Sequence, residues 1–205
     1  MKKLLQYLRK NYPHVAGKKN NFSNHHYNPF STPSKLWPRI NIPQSTANLF
    51  TTVDVLENLN IKYSVVFGTL LGIYRDGELI EHDTDSDLAV WLQDENKIIE
   101  FIKNLEDSQL MLTRFTKNIL SFTRGGDFID LYMYRTKEKN SNVLHCIPYF
   151  GTLTEMDFDN SNTITFHNRN LTCVNDPEGY FQKLYGSDWR VPIKDKHAHI
   201  RHRKR

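Results

Sequence analysis

Residues 66–90 read VFGTLLGIYRDGELIEHDTDSDLAV. Three aspartates, Asp83, Asp85 and Asp87, recur at every second position and run straight into the apolar residues Leu88 to Leu92. In a strand, side chains two apart point to the same face. Asp85 and Asp87 therefore project together, with Asp83 on the same spacing before them. Carboxylates held this close repel one another unless a cation lies between them. Two readings compete: a solvated acidic turn, or a metal site built on a strand. A solvated turn would be followed by polar residues, whereas the run after Asp87 reads as a buried strand.

Gly68-Thr69 follows the strand-like IKYSVVF and opens the helix-like TLLGIYR. Glycine lets a phosphate approach the backbone, and the N–H groups of a helix N-terminus favour anions. One loop can thus hold phosphate while the next strand holds the metal that bridges it. Mg²⁺ or Mn²⁺ suits such a site, being a hard cation held by one or two carboxylates plus substrate phosphates. Arg75 is a candidate bidentate phosphate donor, and His82 a candidate substrate contact or turn cap. Asp130, in DFIDLYMY, is the candidate third carboxylate, because an unpaired charge in an apolar strand is costly. Asp127 is the alternative third carboxylate, but it follows Gly125-Gly126 and is expected in a turn.

The remaining chain reads as one domain with tails. Residues 1–10 predict a short basic amphipathic helix with Leu4, Leu5 and Leu8 on one side. Residues 11–45 carry five prolines and predict an extended arm pinned by Phe30 and Trp37. Ser45 or Thr46 would cap a helix from Ala47 to Asn58. Strands are expected at IKYSVVF, DLAVWL, LMLTRFT, ILSFTRG, DFIDLYMYR, HCIPYFGTL and NTITFHNRNLTCV. Helices are expected at Asn96–Leu105 and PEGYFQKLYG. This order predicts an α/β (α+β) domain with a mixed sheet flanked by helices. The expected division is 1–45, helix and arm; 46–193, catalytic domain; 194–205, basic tail.

The net charge of +4 is concentrated in the two ends. Such runs are solvated tails or contacts with an anionic partner such as a membrane surface. His197, His199 and His202 lie in the terminal run and read as tail, while His145 and His167 read as strand residues. Cys146 and Cys173 have no disulfide or metal spacing and read as buried thiols. No apolar run reaches membrane-spanning length, and the N-terminus lacks a signal-peptide pattern. The expected location is the cytoplasm, or the periphery of a membrane's inner face.

The segment FGTLLGIYRDGELIEHDTDSDLAV resembles the Gly-Thr-Leu-Leu-Gly…Arg…Asp-x-Asp pattern of the LicD and fukutin phosphotransferases, which have the nucleotidyltransferase fold. DPEGYFQKLYGSDWRVP resembles that family's closing segment. Glu81 and His82 stand where the family often has Pro and Trp. The resemblance implies a metal pair at Asp85 and Asp87, with Asp83 as the extra acidic residue and an Asp83/Asp85 register as the alternative. It also implies a phosphate-side turn at Gly68 and Thr69, and Asp130 as base or shared ligand. The implied reaction transfers phosphocholine or an alditol phosphate from a CDP-linked donor to a glycan hydroxyl, with no nucleic acid partner. The alternatives are nucleotide transfer to a small molecule, protein or RNA, and a non-catalytic binding module. In the closing helix, Tyr180, Phe181, Leu184 and Tyr185 read as packing, and Trp189 as core or lid.

Overall fold

A computed structural model describes residues 1–16, 39–136, 142–146 and 153–192. The expected anchors Phe30 and Trp37, the basic tail and its histidines lie outside these residues. The first element is the expected amphipathic helix, α1 (Lys2–Asn11), which buries Leu4 and Leu8. A single helical turn, α2 (Pro13–Ala16), follows it, where an extended arm was expected.

Helix α3 (Ile42–Asn58) begins five residues before the predicted Ala47. The cap is Asn41, whose side-chain oxygen accepts from the Gln44 N–H at 3.1 Å, and Pro43 sits in the first turn, where it sacrifices no helix bond. The backbone N–H of Asn41 donates in turn to the Asp127 carboxylate at 3.1 Å. Ser45 and Thr46, the predicted caps, lie inside the helix, as does the predicted boundary after residue 45.

The chain continues through β1 (Tyr63–Val65), α4 (Phe67–Asp76), β2 (Asp85–Trp91) and α5 (Glu95–Asp107). Strand β1 is shorter than IKYSVVF because Phe67 already opens α4. Gly77 ends α4 in the left-handed conformation, φ 72°, that glycine adopts without strain. Asp94 caps α5 by accepting from the Asn96 N–H at 2.8 Å.

Strands β3 (Met111–Phe115), β4 (Ile119–Arg124) and β5 (Asp127–Thr136) form an antiparallel meander. Two short strands, β6 (Val143–His145) and β7 (Leu153–Thr154), and a turn of helix, α6 (Met156–Asp159), come next. The segment NTITFHNRNLTCV is a hairpin, β8 (Asn162–Phe166) and β9 (Arg169–Cys173). His167 and Asn168 turn it with φ of 45° and 62°, so His167 is a turn residue and not a strand one. Helix α7 (Pro177–Tyr185) closes the described fold.

The sheet order is β3-β4-β5-β2-β1-β9-β8, with β6 and β7 beside the end of β5. Strand β2 runs parallel to β5, and β1 parallel to β9. The other pairings are antiparallel, which makes this the expected mixed sheet. Ser86 to Val90 of β2 are all buried, the pattern of a strand covered on both faces. Leu49, Val53 and Leu56 of α3, with Ile98, Phe101, Ile102 and Leu105 of α5, belong to a hydrophobic cluster that also takes in Leu4 and Leu8. Cys146 and Cys173 are buried free thiols.

Candidate active site

The site is built where β2 and β5 lie side by side. Their parallel register places Asp87 directly beside Asp130, and Asp85 beside Phe128. Since Asp85 and Asp87 share a face, three carboxylates meet there. One oxygen from each of Asp85, Asp87 and Asp130 lies within 4.8 Å of the other two. Asp87 and Asp130 are buried and Asp85 is half-buried, so the cluster opens toward solvent at its Asp85 end.

Such crowding raises the energy of the ionised forms. Burial pushes the Asp85 carboxyl up to about 7, and the charges of Asp130 and Asp83 push it the same way. Asp87 is driven well above the usual carboxylate range by burial, then by Asp85 and Asp130. A set of hard oxygen donors that repel one another fits a divalent cation such as Mg²⁺ or Mn²⁺.

Asp83 stands outside this set of three. Its carboxylate lies over Gly68, where an added Cβ would come within 2.5 Å of Oδ2. Glycine at 68 is therefore what admits Asp83. Burial raises Asp83 to about 6, and the charge of Arg75 opposes the rise. The guanidinium of Arg75 is itself engaged with Asp76, at 2.6 Å from Nη2 and 2.9 Å from Nε. His82 lies half-buried in the turn just before Asp83.

Thr69 is fixed through the acceptor side of its hydroxyl. Its Oγ1 accepts from the backbone N–H of Asp87 at 2.8 Å. The Val66 N–H approaches the Asp87 carbonyl at 3.4 Å, so the start of α4 holds the Asp87 peptide from both sides. Phe67, between Val66 and Gly68, has φ of 51°, a strained position for a residue with a side chain. Its N–H donates to the Tyr180 hydroxyl at 3.3 Å, and its ring meets Tyr132 edge-on at 4.9 Å. The Tyr132 hydroxyl opposes the rise of the Asp87 carboxyl.

Asp127 opens β5 and does not lie in a turn; it is buried and accepts from Asn41. Phe181, Leu184 and Trp189 are core residues, as the closing helix implied. Tyr180 does more than pack, because its hydroxyl reaches the strained turn.

One charged neighbour escaped the sequence reading. Arg114 of β3 pairs with Asp130, and its Nε donates to Ser121 Oγ at 2.7 Å. In LMLTRFT it looks like any solvated strand residue. A hint lay in the mid-strand Asp130, which needed a partner.

The fold is shared with ANT(2'')-Ia, a protein of known structure. A crystal structure of ANT(2'')-Ia in complex with adenylyl-2''-tobramycin is similar with a TM-score of 0.52 and 12% identity, over 79% of this chain and 86% of that one. A solution structure of the antibiotic-resistance factor ANT(2'')-Ia gives 0.48 and 11%, over 74% and 77%. No curated protein matches the chain in sequence. The family model described as "LicD/FKTN/FKRP, nucleotidyltransferase domain" matches residues 60–175, which hold the three carboxylates, the Gly68 turn and Arg114. By that match, over more than half its length, the chain belongs to the LicD/FKTN/FKRP family.

Proposed function

We propose that the chain transfers a phosphorylated small alcohol, phosphocholine or an alditol phosphate, from a CDP-linked donor to a glycan hydroxyl. The observation that carries this reading is the convergence of Asp85, Asp87 and Asp130 beside the Gly68 turn, within a chain of the LicD/FKTN/FKRP family. Asp85 and Asp87 would hold Mg²⁺ or Mn²⁺, with Asp83 adding negative field at the edge. A bound cation would supply positive charge for the donor's diphosphate and for the departing CMP.

The chain's own residues position and deprotonate. Gly68 and Thr69 at the start of α4 are assigned to the phosphate side of the site, next to the Asp83 carboxylate that lies over Gly68. Arg75 and His82 lie on the two sides of the segment that leads into the aspartates, and are assigned to the substrate. The glycan oxygen forms the new bond to phosphorus as the bond to the CMP oxygen breaks, and the hydroxyl proton passes to Asp130. Arg114 keeps that carboxylate in place. Lys2, Lys3, Arg9 and Lys10, exposed on α1, are suited to the anionic surface of a membrane.

Thermal unfolding with CDP-choline, CDP-ribitol, CDP-glycerol, ATP or CTP, each with Mg²⁺ or Mn²⁺, tests the donor class. A CDP-linked compound should stabilise selectively. Stabilisation by ATP alone would overturn the reading in favour of nucleotide transfer. The double substitution Asp85→Asn, Asp87→Asn should fold and lose metal-dependent turnover; unchanged turnover would place the chemistry elsewhere.

A further inference from the structure

Arg114, Ser121, Asp130 and Asp87 form one row across four neighbouring strands, each in register with the next. The row depends on an irregularity. Leu112 pairs with Phe122, yet the next pair is Arg114 with Ser121, so Thr113 is an extra residue. In an unbroken ladder Thr113 would face Ser121, and Arg114 would fall beside Leu120 on the opposite face. The bulge therefore puts a guanidinium, and not a threonine hydroxyl, into the carboxylate row, a known way of re-aiming a side chain at a site.

The guanidinium is also fixed from one side only. Nε is held by Ser121 and Nη2 by Asp130, while Nη1 has no hydrogen-bond partner among the described residues. The Arg114 side chain is 22% exposed and that of Asp130 4%, so the cation lies nearer solvent than the carboxylate that anchors it. An arginine pre-oriented by two acceptors presents its remaining donors to a phosphate oxygen with little further loss of freedom.

We propose that Arg114 is an anion-contact residue of this site, offering Nη1 to a phosphate oxygen of the bound diphosphate. The assignment rests on the diphosphate donor proposed above. Calorimetric titration of wild type, Arg114→Gln and Arg114→Lys tests it, with Mn²⁺ alone and then with inorganic pyrophosphate or CDP at saturating Mn²⁺. Arg114→Gln should bind Mn²⁺ within about threefold of wild type and lose about tenfold or more in pyrophosphate affinity. Arg114→Lys, with the charge but not the fork, should recover part of that loss. Equal losses for Mn²⁺ and pyrophosphate, or an unchanged pyrophosphate affinity, would reduce Arg114 to a prop for Asp130. Wild type that binds pyrophosphate but not CDP overturns the cytidine donor and leaves Arg114 to be judged on pyrophosphate; binding of neither overturns both.

Discussion

Thr69 ties the phosphate-side turn to the metal strand with one atom. Its hydroxyl oxygen takes the Asp87 N–H, in a place where both residues are buried. Replacing it with valine keeps the volume and strands that N–H without a partner. Thr69→Val should lose about 1–3 kcal/mol in urea unfolding, and Thr69→Ser should lose much less. The substrate role expected of Thr69 and the structural bond it makes use the same hydroxyl. A sequence shows that a small polar residue follows Gly68; it does not show which backbone group that residue will meet. Arg114 was illegible for a related reason. Its direction is set by the bulge at Thr113, and LMLTRFT read as a regular strand points Arg114 to the wrong face.

Among the elements, those with a strong period were readable. Asp85 and Asp87 announced their shared face because strand side chains alternate without drift, and Asp130 stood out as a charge within an apolar run. Helix α3 was misplaced because Asn41-Ile42-Pro43 looks like loop, whereas proline in a first turn is well tolerated and Asn41 supplies the cap. Helix α1 was readable as a helix but not in its attachment. It looked like part of an appended arm, yet Leu4 and Leu8 are fully buried in the common core, the Leu4 N–H donates to Glu95 at 2.7 Å, and the Tyr12 hydroxyl donates to Glu106 at 2.6 Å. Leu8→Ala should therefore destabilise the whole fold by about 2–5 kcal/mol in denaturant titration. Leu5→Ala, at a half-buried position on the same helix, should cost clearly less. Equal, small losses would mean that α1 is only loosely attached.

At the scale of the whole molecule, the carboxylate cluster sets a pH dependence. Asp83 and Asp85 have folded-state values of about 6 and about 7. Ordinary unfolded carboxyls titrate near about 4. Between those limits the folded chain binds more protons than the unfolded one, so this contribution to stability is present at low pH and is lost as pH rises through about 6 to 7. The metal-free protein should unfold at a lower temperature at about pH 8 than at about pH 6, and millimolar Mg²⁺ should narrow the difference. Scans with and without chelator check this; a difference of the opposite sign would show that other groups dominate. No helix among the described residues is long and apolar enough to cross a membrane.

The pairing of Asp87 with Asp130 joins two stretches of chain that are far apart in sequence, and both come from strands at the centre of the sheet. Slipping β2 by one residue against β5 would bring Ser86 or Leu88 to Asp130 and turn both aspartates to the other face. A chain misassembled in that way keeps Asp85 and Asp87 together on one face but parts them from Asp130. A cation held by all three carboxylates would thus favour the molecule with the two strands in phase over one folded a step out of it.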